Sequence, residues 1–153
     1  MEYIIELLLL RIFEVKLKQD REFEQLRKVF TGENEDLLFS ALGSVPNEQI
    51  LPLLNSRFFP FYARILSEAR KVYSGNPKEK VQDQLVLIEE VFSNSNFTNN
   101  VNSGNLREVV GLVGELDEQR LLKTDLLGDA IESALSETGG TKDIGLFRTP
   151  DHV

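Results

Sequence analysis

Ile4, Ile5, Leu7, Leu8, Leu9, Ile12, Phe13 and Val15 form a wide apolar face at helical spacing, and Glu6, Arg11, Glu14 and Lys18 take the other side. A stripe this broad suits a helix packed on two or more neighbours. Phe23, Leu26, Val29 and Phe30 repeat at three and four residues, and Gly32 ends the segment. Leu37, Leu38, Ala41 and Leu42 predict a short helix closed by Gly43. Pro46 opens Asn47 to Asn55, and Pro52 inside that stretch predicts a kink or a division. Arg57 to Tyr73 holds the densest aromatic patch, Phe58, Phe59, Phe61 and Tyr62, with a regular helix expected from Pro60. Gly75-Asn76-Pro77 is a break, in which Asn76 is read as a cap and Pro77 as a first-turn residue. The helix that follows runs to Phe92 with Val81, Leu85, Ile88 and Val91 inward. Ser93 to Asn105 is rich in Asn and Ser and reads as a surface connection. Leu106 to Leu116 and Thr124 to Ser136 are further helices, followed by a Gly139-Gly140 loop and the start of another helix at Thr149-Pro150. Strand-like alternation is nearly absent, so the expected fold class is all-α, a multi-helix bundle.

Composition narrows the chemistry. The 153 residues suit one domain and show no repeat at a fixed period. The absence of cysteine removes disulfides and thiolate chemistry. With His152 as the lone histidine, neither a His-rich metal cluster nor a Ser-His-Asp triad can be assembled from this sequence. The apolar stretch Tyr3 to Phe13 is interrupted by Glu6 and Arg11, whereas a membrane span needs about 20 mostly apolar residues. A cytoplasmic protein without a membrane partner is expected.

Two segments near the end carry more information. Asp125-Leu126-Leu127-Gly128-Asp129-Ala130-Ile131-Glu132-Ser133-Ala134-Leu135 resembles the D-x-L-G-D-x-Y-E-Y-L-L helix of type I restriction-modification DNA methyltransferase subunits. Gly145-Leu146-Phe147-Arg148-Thr149-Pro150-Asp151-His152-Val153 resembles that family's G-x-F-Y-T-P-x-x-V. The order of the two, the Gly-containing spacer, and the approach from Val91-Phe92 through Phe97 and Leu106 also agree. Ile131 and Ser133 stand where the family usually has tyrosines, and Arg148 where it often has an aromatic residue. Residues 1–90 resemble the family's N-terminal domain in helical character alone.

The resemblance implies an adenine-specific DNA methyltransferase that uses S-adenosylmethionine. It places residues 1–123 in an N-terminal helical domain and residues 124–153 at the start of a truncated methyltransferase domain. It also places Leu146, Phe147, Arg148, Thr149, Pro150 and Asp151 beside the cofactor in the intact protein. No Asn-Pro-Pro-aromatic catalytic motif and no strand followed by Gly-x-Gly occurs. No catalytic residue is therefore assigned, and no cofactor is expected for this piece alone. The implied partners are DNA, a specificity subunit, a second modification subunit and a restriction subunit. A stand-alone helical interaction module is the alternative, and a carboxylate metalloenzyme is disfavoured because such bundles usually use Glu-x-x-His pairs.

Two clusters have an ordinary reading beside a functional one. Asp125, Asp129 and Glu132 share one helix face, which is read as a solvated face rather than a cation site. Residues 57–80 hold six cations against two carboxylates, and Arg64 and Lys71 fall on one flank as candidate contacts to DNA phosphates. The aromatics among them have core spacing. A net charge of −8 opposes unspecific attraction to DNA, so any contact must be local.

Overall fold

The computed structural model describes residues 2–95, 103–123 and 126–137. Among them there is no strand, and the chain is all-α as expected. The first helix, α1 (Glu2–Gln19), is the longest element and the axis of the bundle. Leu7, Leu9, Leu10, Ile12, Phe13, Val15 and Leu17 are buried, covering far more than one side of the helix. It is flanked by α7 (Ser103–Gly114), α8 (Glu118–Lys123) and α9 (Leu126–Glu137) and by a 3-10 turn over Phe39–Ser44. That surround covers the polar side of the helix as well. Glu6, Arg11 and Glu14 are buried, because the polar side of α1 meets protein rather than water.

Arg27 closes the C-terminus of α1. Its Nε donates to the Leu17 carbonyl at 2.5 Å and its Nη2 to the Lys18 carbonyl at 2.8 Å, so a cation meets the orphan acceptors of the last turn. Residues 21–44 are more broken than the periodicity suggests. The Phe23–Phe30 segment is a 3-10 turn, Arg21–Phe23, and a single turn, α2 (Arg27–Phe30). Gly32 ends it at φ +86°, a conformation glycine adopts without steric cost. The expected helix over Leu37–Leu42 is two 3-10 turns, Glu35–Leu37 and Phe39–Ser44.

Pro52 does not divide its helix. α3 (Asn47–Leu53) passes through it and opens into a π turn, Leu54–Phe58, in which the Phe59 N–H reaches back five residues to the Leu54 carbonyl. A single turn, α4 (Phe59–Tyr62), follows, with Pro60 in its opening turn, where its missing N–H is tolerated. The regular helix of this region starts later than Pro60. It is α5 (Ile65–Val72), entered through Arg64, which leaves helical geometry at φ −128° and ψ 27°. Gly75, at φ +95°, makes the expected break. α6 (Glu79–Ser93) then begins after Lys78, with no side-chain cap, so neither Asn76 nor Pro77 has its expected place in the helix start.

The core is one continuous cluster from Leu7 to Ala134. Its centre is aromatic: Phe13 makes edge contacts with Phe23, Phe30 and Tyr62 at centroid distances of 6.1, 6.1 and 5.5 Å. Tyr62 lies 5.5 Å from Phe92, joining α4 to α6. The aromatic patch of residues 58–62 is thus interior, as its spacing predicts. α8 was not anticipated. It is one short run started by Asp117, whose Oδ1 accepts from the Gln119 N–H at 3.2 Å.

Candidate functional site

The helix that carries the first family-like motif is α9, and its residues divide cleanly. Leu127, Ala130, Ile131 and Ala134 are buried against α1 and α6. Asp129, Glu132 and Ser133 are exposed, and Gly128 is half-buried. Alternation at three and four residues explains this, because small and apolar positions share the inner face. Asp129 and Glu132 thus lie on a solvated face, as read from the sequence, while Asp125 lies outside the described residues. No group of three potential metal ligands occurs among the described residues. Ile131 is a core residue. Leu146, Phe147, Arg148, Thr149, Pro150 and Asp151, the candidate cofactor residues, also lie outside the described residues.

Arg64 and Lys71 are brought together on the exposed side of α5. Both address one oxygen of Glu68, Arg64 Nε at 3.4 Å and Lys71 Nζ at 3.2 Å. The Arg64 guanidinium also lies 5.7 Å from the Phe61 ring centre, and its Nη1 donates to the Pro60 carbonyl at 3.2 Å. The pair therefore forms a small cationic flank with one carboxylate inside it. Other cations of this stretch are similarly matched: Arg57 pairs with Asp36 at 2.7 Å and Lys80 with Glu22 at 3.7 Å. Acids from other segments, Asp36 and Glu22, thus meet two of the six cations of residues 57–80, which composition of the segment alone does not reveal.

A second cluster escaped the sequence reading. It lies where α1, α7 and the Phe39–Ser44 turn meet, around a cleft of about 360 Å³ lined by Arg11, Arg107, Phe39, Ser40, Val110 and glycines of α7. The Glu14 carboxylate, 1% exposed, accepts from the Ser40 N–H at 3.1 Å and from Ser40 Oγ at 2.6 Å, and Lys18 Nζ stands 3.5 Å away. Arg11 donates through Nη2 to the Leu116 carbonyl at 3.1 Å and faces Glu118 at 3.7 Å. Arg107 grips the end of the 3-10 turn, donating to the carbonyls of Leu42, Gly43 and Val45 and to Asn47 Oδ1. The usable signal was Gly111 and Gly114 inside a helical pattern, since a glycine tolerated in a helix often marks a packing or access requirement.

A third feature is an apolar groove of about 320 Å³ between α1, α8 and α9, walled by Ile5, Leu8, Ile12, Leu121 and Ala130. Leu116 stands at its edge, 41% exposed, and Leu112 on α7 is 62% exposed. No helix among the described residues is long and apolar enough to cross a membrane. No protein-family model matches the chain, and comparisons with curated proteins and with solved structures return no match.

Proposed function

We propose that this chain is the N-terminal helical domain of a type I restriction-modification DNA adenine methyltransferase subunit, assisting DNA clamping and subunit assembly. The observation that carries the reading is the division of α9. The motif positions that match the family in apolar character secure the helix to the bundle, whereas Gly128, Asp129 and Glu132 are spared from the core. Asp129 and Glu132 face outward and suit a junction with the segment that follows.

The chemistry proposed for the whole protein is methyl transfer to the exocyclic amine of adenine. That amine is stacked inside duplex DNA, so the base must be flipped out and the DNA held while this happens. A rigid helical bundle ahead of the catalytic domain suits one side of such a clamp. Arg64 and Lys71 are its proposed phosphate contacts, and Glu68 between them keeps their attraction short-ranged. The resemblance ties S-adenosylmethionine to Leu146 through Asp151, so the described bundle is assigned no part in holding the cofactor. The specificity subunit, a second modification subunit and the restriction subunit are the proposed protein partners.

A stand-alone interaction module is the second reading. Leu116, exposed at the edge of an apolar groove, favours it, because apolar surface of this kind marks contact sites. The coding sequence downstream of Val153 separates the two. The expected continuation is a strand, a glycine-rich loop, a helix and then Asn-Pro-Pro-aromatic; an immediate stop codon overturns the methyltransferase reading.

A further inference from the structure

We infer that the apolar groove between α1, α8 and α9 is the docking site of the chain's own segment after α9, with Leu146 and Phe147 seated in it and Arg148 beside Asp129. The inference is independent of the methyltransferase reading, and it meets within the chain the apolar surface that favours an interaction module.

The groove is a gap in the cover of the core. Ile5 and Leu8 belong to the apolar face of α1, yet both are only half-buried where they line it, and Leu116 is 41% exposed at its edge. Ile12, Leu121 and Ala130 complete the apolar lining of this groove of about 320 Å³. Apolar surface gathered in a concavity gains free energy when an apolar side chain enters it. Asp129 and Ser133, both exposed on α9, are the polar residues of the lining.

Distance and composition choose the occupant. α9 forms one wall and ends at Glu137, and Leu146 is the ninth residue beyond it. Such a stretch reaches about 30 Å when extended, while Asp129 and Ser133 lie only about 12 and 6 Å back along the helix from its end. Gly139 and Gly140 permit the reversal of direction that a return along α9 requires. Ile144, Leu146 and Phe147 are the apolar cluster of the segment, and Arg148 follows with a charge opposite to that of Asp129. A segment on so short a tether meets the groove at about millimolar effective concentration, ahead of a partner in free solution. A second copy is the weaker occupant, because each chain carries a net charge of −8 and the two repel.

The chain has no cysteine, so a Thr149→Cys variant carries a single nitroxide spin label, whose broadening of backbone amide signals reports where the segment rests. Broadening is expected to be strongest at Ile5, Leu8, Leu116 and Ser133. Leu146→Ser combined with Phe147→Ser removes the apolar anchors and lowers the ratio of docked to undocked chains at least about tenfold, so this pattern collapses. Ser133→Arg attacks from the groove side: the position is exposed, so the bundle stays folded, and the new cation pairs with Asp129 one turn away. The same amides are expected to lose their broadening there too. Broadening that is spread evenly over the surface, that survives either set of substitutions at full strength, or that weakens on dilution overturns the assignment, and the last of these gives the groove to a second copy.

Discussion

Phe13 and Glu14 are neighbours on α1, and they face two interiors of opposite character. Phe13 enters an aromatic cluster with Phe23, Phe30 and Tyr62, and its own three ring contacts are all edge-on. Glu14 enters a polar seam, where Ser40 and Lys18 are its partners and Arg11 and Arg107 lie alongside in the same cleft region. The first interior is generic, since apolar side chains of about the right size fill it and burial supplies the free energy. The second is specific. Each polar group there must find its own counterpart or lose more than it contributes. One helix thus carries both the apolar core of the bundle and a buried polar seam.

The largest expected effect is on the aromatic side. Phe13→Ala removes a fully buried ring that touches three others, and costs about 3–5 kcal/mol. Urea unfolding of the variant checks this through a lowered midpoint at unchanged slope. A small loss, below about 1 kcal/mol, breaks the comparison, because the cluster then does not dominate the core.

Glu14→Ala probes the polar side and ranks second. It strips the Ser40 N–H and hydroxyl of their acceptor and removes the partner of Lys18. Ser40 and Lys18 are exposed, so water takes over much of the lost bonding, and the expected cost is about 1–2 kcal/mol. A cost equal to that of Phe13→Ala merges the two regions into one structural core and removes the reason to treat the seam separately.

The same contrast explains what was legible in the sequence. Apolar periodicity is local information, and it located α1, α6, α7 and α9 and assigned Phe58, Phe61, Tyr62 and Ile65 to the core. The polar seam depends on partners far apart in the chain. Ser40 lies 26 residues from Glu14, and the Leu116 carbonyl lies 105 residues from Arg11. No spacing rule links such pairs, so the sequence places Glu6, Arg11 and Glu14 opposite the apolar face without revealing their burial. The breakage of residues 21–44 into 3-10 turns was hidden for a related reason. Short segments carry too few periods to distinguish a helix from a chain of turns, and packing decides between them. For α9 the sequence was informative about the inner and outer faces, whereas pairing of Arg64 and Lys71 around Glu68 needed the structure to be seen.

Tyr62 joins the two interiors, and its substitution gives the smallest and most discriminating effect. Its ring belongs to the aromatic cluster, while its hydroxyl donates to the Leu37 carbonyl at 2.7 Å. Burial pushes its phenol well above the usual value near 10, and the charge of Glu14 pushes it further in the same direction. The folded protein therefore keeps this proton at a pH where the unfolded chain releases it. Stability from this group is fully present below pH about 10 and is lost as pH rises toward the folded value. Tyr62→Phe keeps the ring, loses the hydrogen bond to Leu37, and costs about 1 kcal/mol at neutral pH. Because the variant has no proton to release at this position, the gap between the two proteins narrows above pH about 10. Differencing the two unfolding curves at each pH cancels Tyr73, whose phenol is also raised by burial. A gap that stays constant with pH means that the Tyr62 hydroxyl titrates alike in both states, which places it outside both the aromatic interior and the reach of Glu14.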